Sequence, residues 1–151
     1  MASSLDVAEY ILQQKGPVTS IKLQKLVYYS QAWSLALEQE PIFEEPIEAW
    51  ANGPIVRNLI ESQREQSPVC SIPQGDPRRL TVEQKETIDA VIVYYGQKST
   101  QWLEEMTHAE DPWRLAREYP SSNKLPKNKW SEKTISHQAM KDYYSGLEGH
   151  C

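Results

Sequence analysis

The sequence predicts a mainly α-helical fold: a single compact domain of about six or seven helices around one buried central helix. Three observations lead to this prediction. Apolar residues recur at helical spacing, Ser or Thr residues precede these segments as candidate N-caps, and glycines and prolines fall between them. The 151 residues are enough to bury a sizeable core, and 39% of them are apolar. Because no linker divides the chain, residues 1–151 are predicted to form one domain.

The first helix is predicted over residues 4–15, where a glycine–proline pair ends it. Thr19 caps a second, longer helix that reaches about Glu38. Apolar residues cover most of its circumference: Ile21, Leu23, Leu26, Val27, Trp33, Leu35, Ala36 and Leu37. A helix of this kind is typically surrounded by other elements, so it is predicted to be the buried centre of the fold. The residues predicted to pack inside are Leu23, Leu26, Trp33 and Trp113.

Prolines and glycines divide the middle of the chain. Residues 47–51 are predicted as one short extended segment. Gly53 then forms a turn, and Pro54 takes the first position of a helix that reaches about residue 66. Thr81 and Gln84 form a capping-box pattern. Further helices are predicted at 81–95, 99–106, 112–118 and 137–144, with a least ordered loop at 67–79 and a polar, lysine-bearing connection at 119–134.

The charge is negative overall and unevenly distributed. A formal net charge of −5 disfavours nucleic acid as the main partner, because proteins that bind phosphate backbones usually carry a basic surplus. The stretch 38–48 holds five glutamates and no basic residue, whereas 124–133 holds four lysines and the single acid Glu132. These stretches are either two solvated loops or patches that steer a partner of opposite sign.

The sequence predicts a cytoplasmic protein. No apolar stretch approaches the roughly 20 residues that span a bilayer, so no membrane segment is predicted. The N-terminus lacks the basic and apolar regions of a secretory signal. Cys70 and Cys151 are too few for a disulfide framework, so free thiols in a reducing compartment are the simpler interpretation.

The motifs of catalysis and metal binding are weak. The sequence has no nucleophile-elbow pattern, no phosphate-binding glycine loop and no paired-cysteine motif. His108, Glu110 and Asp111 place an imidazole near two carboxylates, but His108 and Glu110 do not share a helical face. Helix capping beside a packed Trp113 is the alternative interpretation. We therefore predict no catalytic residue, metal or cofactor, and an enzyme that uses His108 and a neighbouring carboxylate is retained as an alternative.

The second helix carries a polar and aromatic stripe. Lys22, Lys25 and Tyr29 share one face, and Gln24 and Tyr28 lie beside it. The stripe is either a hot spot for a protein partner or an amphipathic edge where lysines reach solvent while tyrosines pack. The first two helices, joined by residues 16–20, could also form a DNA-binding helix-turn-helix, since the turn has a suitable length. The second helix, however, lacks the exposed polar face that a recognition helix needs.

Several segments, in the same order, resemble the Panacea domain of the SocA-like, phage-associated antitoxins. They are residues 7–12, 22–33, 41–43, 47–50, 53–56, 107–108, 112–113 and 135–144. The combination of the Lys-Leu-Gln-Lys-Leu helix at 22–26 with the Gly53-Pro54 turn is the most specific part of the resemblance.

The resemblance implies an antitoxin that neutralises a protein toxin from an adjacent gene by direct binding. A proteolytic adaptor or a phage-associated regulatory protein is the alternative. Carried over onto matching positions, the predicted partner-binding residues are Lys22, Gln24, Lys25, Tyr28, Tyr29, Trp50, Pro54 and His108. Of these we expect Lys22, Lys25, Tyr29 and the rim around Trp50 to be accessible.

Overall fold

The computed structural model describes residues 1–51, 53–63, 68–118 and 134–148. The helices in these ranges are α1 (Ser4–Lys15), α2 (Ser20–Leu37), α3 (Arg57–Gln63), α4 (Val82–Tyr95), α5 (Thr100–Ala109), α6 (Asp111–Glu118) and α7 (His137–Glu148). The strands are β1 (Ile47–Trp50), β2 (Gly53–Ile55) and β3 (Thr134–Ile135). The predicted mainly α fold is confirmed. The predicted connection up to residue 133, with its lysines, lies outside the described residues, as does Cys151.

Side-chain N-caps determine where the first two helices begin. The Ser3 hydroxyl accepts from the amide of Asp6, and the Asp6 carboxylate accepts from the amide of Ser3, which forms a capping box for α1. The Thr19 hydroxyl accepts from the amide of Lys22 at the start of α2. The predicted bounds of α1 are confirmed, and α2 ends one residue before the predicted Glu38.

Helix α2 lies at the centre of the fold, as predicted. It packs against α1, α4, α5, α7 and β2. Leu23 and Leu26 are fully buried, and Trp113 is also buried, as expected. Trp33, which was expected inside, is only partly buried, because its ring lies at the outer edge of the α2–α4 contact beside Tyr94.

A small antiparallel sheet with the order β2–β1–β3 replaces part of the predicted helix. The predicted extended segment is confirmed as β1, which pairs with β2 through Glu48 and Ile55. The prediction that Pro54 opens a helix is wrong, since Gly53–Ile55 is a strand. The physical reason is a clamp from α2: the Gln24 amide accepts from the Val56 N–H and donates to the Val56 carbonyl, at 2.8 and 3.2 Å. Helix α3 therefore begins only at Arg57.

The chain after residue 67 is more structured than predicted. Val69 forms an isolated antiparallel bridge with Val18. Ile72 is buried, and its amide donates to Glu9 Oε1 at 2.7 Å. A short 3₁₀ helix follows at Pro77–Arg79. The prediction of a least ordered loop is therefore wrong for residues 68–79, because carboxylates on α1 hold this segment against the core.

The later helices begin where their caps predict. Thr81 and Gln84 form the expected capping box of α4, and Ser99 caps α5. Helix α5 continues three residues beyond its predicted end at residue 106, and Pro112 is the second residue of α6. Helix α7 extends to Glu148 and packs along α2, which completes the enclosure of the central helix.

Candidate partner-binding site

The structure places most of the predicted partner-binding residues inside the protein. Gln24, Lys25, Tyr28, Tyr29 and Pro54 are buried, whereas Lys22, Trp50 and His108 keep part of their surface. The expectation that Lys25 and Tyr29 are accessible is wrong: 1% of Lys25 and 0% of Tyr29 is exposed. The physical reason is that α4, α5 and α7 all pack on α2 and cover the stripe that the isolated helix would present.

The buried tyrosines surround a single carboxylate. Tyr29 and Tyr144 each donate a hydroxyl to Glu110 Oε1 at 2.8 Å, and the Tyr28 and Tyr144 hydroxyls are 3.0 Å apart. The Tyr29 ring stacks on Tyr95, with 3.9 Å between ring centroids. We call these five residues the tyrosine–glutamate cluster. It joins α2, α4, α7 and the α5–α6 junction.

Burial determines the protonation of the cluster. Desolvation raises the pKa of Glu110, and the two tyrosine hydrogen bonds oppose that shift because they stabilise the charged form. Desolvation also raises the pKa of Tyr28, Tyr29 and Tyr144 well above the ordinary value. The hydroxyls therefore stay protonated and can act as hydrogen-bond donors.

The cluster is a hydrogen-bonded part of the core, and the sequence analysis did not identify Glu110 and Tyr144 as its members. A tyrosine on a buried helix face was the available signal, because its hydroxyl requires a partner.

Lys25 packs beneath Gly53, the first residue of β2. Gly53 has a φ of +125°, and a Cβ built there would lie 2.7 Å from Lys25 Nζ and 3.2 Å from Thr107 Oγ1. Burial lowers the pKa of Lys25 to about 8, partly opposed by the Glu104 carboxylate. The pairing of this lysine with a glycine–proline turn in the motif therefore has a structural cause: the ammonium group occupies the space that a side chain at position 53 would need.

Two glutamines of α2 fix extended backbone against the helix. Gln24 clamps Val56, as described above. Seven residues later, Gln31 Oε1 accepts from the amides of Ile42 and Phe43, and its Nε2 donates to the Phe43 carbonyl at 2.9 Å. Both side chains are buried and satisfy backbone groups that the surrounding core would otherwise leave without partners.

The accessible part of the predicted site lies around Trp50. Its indole N–H donates to Glu48 Oε1, and the Arg57 guanidinium pairs with the same oxygen at 2.9 Å. On the inner side, Trp113 Nε1 donates to the Trp50 carbonyl at 2.7 Å, and the His108 ring stacks on Trp113 with 4.2 Å between centroids. This region, which we call the Trp50 rim, combines partly exposed aromatic surface with an ion pair.

A second accessible surface was not predicted from the sequence. The outer side of α4 exposes Ala90, Val93 and Tyr94, and the Tyr94 ring centroid lies 5.8 Å from that of Trp33. Leu37, one helical turn beyond Trp33, is also exposed. We call these five residues the α2–α4 surface. The signal in the sequence was present: Ile88, Val91 and Tyr95 recur at helical spacing and are buried, whereas Val93 and Tyr94 fall outside that spacing.

The described part of the chain contains neither a group of metal ligands nor a membrane-spanning helix. Among those residues, no three His, Cys, Asp or Glu side chains are grouped so that they could hold a metal ion. In the same ranges, no helix combines the length and apolarity needed to cross a bilayer.

Comparison with known proteins identifies a family that this chain resembles. A family model described as "Antitoxin SocA-like, Panacea domain" matches residues 23–114, well over half of the chain. The matched segment runs from α2 to α6 and includes Gly53 and Pro54 of β2 as well as Glu110. No curated protein and no solved structure matches.

Proposed function

Because this chain belongs to the Antitoxin SocA-like, Panacea domain family, we propose that it neutralises a protein toxin from a neighbouring gene by binding it directly in the cytoplasm. The family match over residues 23–114 is the observation that carries the proposal. The protein is an antitoxin in this proposal, and its activity is occlusion of the toxin rather than a chemical reaction.

The packing of the motif residues supports a binding role. Gln24 and Gln31 each fix a connection against α2, and Lys25 packs beneath Gly53. Glu110 joins the tyrosines of α2 and α7. These contacts hold the surface elements in one arrangement before any partner arrives. A preorganised surface loses less conformational entropy on association, and this raises affinity. Of the predicted contact residues, Lys22, Trp50 and His108 keep part of their surface exposed.

Co-expression tests this function. Each open reading frame that flanks the gene is expressed alone and together with this chain, and growth is recorded. We expect one flanking product to stop growth alone and to be harmless beside this chain, with which it should copurify. A frameshifted copy, which keeps the RNA but not the protein, is the control. Equal growth arrest with and without the chain would show that it neutralises neither flanking product.

The toxin half-life separates masking from delivery to a protease. Direct binding leaves the amount of toxin unchanged or raises it, because the complex is folded and inert. An adaptor would instead shorten the half-life of the toxin in cells that express this chain. A pulse-chase experiment with a tagged toxin measures the difference.

A further inference from the structure

The α2–α4 surface is apolar and accessible. Val93 is 79% exposed and Tyr94 is 58% exposed, and Ala90 lies one turn before them on the same side of α4. Leu37 extends the surface onto α2 with 41% exposure. Grouped apolar residues on a folded surface are characteristic of protein interaction sites, and tyrosine is enriched among the residues that dominate binding energy.

Tyr94 is supported from below by a layer of packed aromatic rings. Its ring centroid is 5.8 Å from Trp33 and 4.7 Å from Tyr95, and Tyr95 in turn stacks on Tyr29. The exposed ring therefore rests on the tyrosine–glutamate cluster rather than on mobile side chains. A ring with restricted freedom loses little entropy when a partner covers it.

Carboxylates flank this surface on α4 and directly after the end of α2. On α4, Glu86 and Asp89 lie one turn before Ala90 and Val93, and both are exposed. Asp89 also accepts the Tyr10 hydroxyl at 2.8 Å. After α2, the chain continues with the exposed residues Glu38 and Glu40.

Basic side chains near α4 point to other rings. Lys85 Nζ is 5.9 Å from the ring centroid of Tyr10, and Lys98 Nζ is 4.9 Å from that of Trp102. Within α4, all of which is described, the exposed residues include no lysine or arginine. The surface therefore has an apolar centre with acidic neighbours at Glu86, Asp89 and Glu38, whereas Lys98 and Lys22, whose Nζ donates to the Gly96 carbonyl, lie beyond the C-terminal end of α4.

We infer that the α2–α4 surface is the toxin-binding face, and that it receives an apolar segment of the toxin flanked by lysine or arginine side chains. Charge complementarity favours a basic toxin segment over a second copy of this chain, because Glu86, Asp89 and Glu38 attract positive charge. A second copy of this chain would instead bring carboxylates toward carboxylates. The inference rests on the proposed function and names the chemistry of its partner.

Paired valine substitutions test the surface. Val93→Lys places a cation in the apolar centre, near the helix C-terminus where a positive charge is compatible with the helix dipole. Val82→Lys is the matched control, since Val82 is 67% exposed on the same helix but lies three turns away. The probe is the flanking-gene product that arrests growth. We expect Val93→Lys to raise the dissociation constant of the complex with this product by about ten-fold or more. Val82→Lys should change that constant by less than about two-fold.

A charge reversal tests the basic partner. Glu86→Lys should slow association with the same probe and reduce its dependence on salt, whereas Glu105→Lys, an exposed position on α5, should not. Cross-linking gives a second readout: p-benzoylphenylalanine in place of Tyr94 should capture the toxin, and in place of Val82 it should not.

The outcomes separate the two proposals. If the wild-type chain binds the toxin and Val93→Lys binds equally well, the docking surface is wrong and the antitoxin function stands. If the wild-type chain binds neither flanking product, both proposals fail. If sedimentation shows that the chain self-associates and that Val93→Lys abolishes this, the occupant is a second copy and the inference is overturned.

Discussion

At the scale of single residues, the polar side chains of the motif act on the interior. Glu110 receives two hydroxyl donors on one oxygen, and Lys25 fills the space beneath a glycine turn. Each group is removed from water, so each depends on its neighbours for compensation. Substitutions at these positions will therefore change stability before they change any contact with a partner. Loss of function in a Lys25→Glu or Tyr29→Ala variant would report unfolding.

Glu110→Gln should reduce the dependence of stability on pH. Burial raises the folded pKa of Glu110 above the ordinary 4.5, so the folded chain retains a proton that the unfolded chain has released. This group's contribution is fully present below about pH 4.5 and is lost as pH rises through the folded pKa. Glutamine keeps the acceptor oxygen and has no such titration. Urea unfolding from pH 4.5 to 8 should show a smaller decline of unfolding free energy for the variant than for the wild type.

Glu110→Ala is the contrasting change. It leaves the hydroxyls of Tyr29 and Tyr144 without their acceptor, and each unsatisfied buried group costs about 1–3 kcal/mol. We expect a loss of about 2–6 kcal/mol of unfolding free energy at pH 7. If Glu110→Gln and Glu110→Ala proved equally unstable, the hydrogen bonds to Oε1 would not be the source of stabilisation.

Lys25→Met should flatten the pH dependence of stability on the alkaline side. The folded pKa of Lys25 is about 8, against an ordinary 10.5, so between these values the unfolded chain binds a proton that the folded chain lacks. The unfolding free energy therefore rises with pH in this window. Methionine has similar length and cannot titrate. Measurements from pH 7.5 to 9.5 avoid ionisation of the unfolded tyrosines near pH 10. Lys15→Met, at an exposed position, is the control and should retain the rise.

At the scale of elements, the features that short-range contacts determine could be predicted from the sequence, and those that depend on long-range contacts could not. The starts of α1, α2, α4 and α5 were predicted because their caps lie within three residues. Strand β2 was not predicted, because Gln24 and Val56, which hold the backbone extended, are 32 positions apart. The burial of Tyr29 depends on Glu110, 81 positions away. The order of the motifs predicted the family, but only the assembled fold could separate core from surface.

Gly53→Ala should destabilise the turn more than Gly16→Ala. Both glycines have positive φ, +93° at Gly16 and +125° at Gly53, so alanine is strained at both. A Cβ at Gly16 meets nothing within 4 Å, whereas one at Gly53 meets Lys25 Nζ at 2.7 Å. The difference in unfolding free energy between the two variants isolates the contact with Lys25. Lys25→Met combined with Gly53→Ala should recover part of that difference, and full additivity would argue against the contact.

At the scale of the whole molecule, α1 and α7 complete the core around the matched segment 23–114. Helix α7 and strand β3 contribute Ile135, Met140 and Tyr144, all buried. Burial of each such side chain is worth about 1.5–3 kcal/mol. Their sum is comparable to the roughly 5–15 kcal/mol that stabilises a typical domain. We therefore expect segments outside the family match to be needed for the fold that carries the proposed binding surface.

A fragment of residues 1–118 should therefore lack a cooperative thermal transition, although it contains the whole matched segment. Without α7, Tyr28 loses the Tyr144 hydroxyl and the Glu110 carboxylate loses one of its two tyrosine donors. A synthetic peptide of residues 134–148 should restore the transition, since it supplies β3 and α7. The same peptide with Tyr144→Phe should restore it less well, because it fills the space but brings no hydroxyl to Glu110. Circular dichroism melting of the fragment with each peptide measures this order. A fragment that melts at the temperature of the full chain without any peptide would show that the fold is stable without packing of α7 on α2.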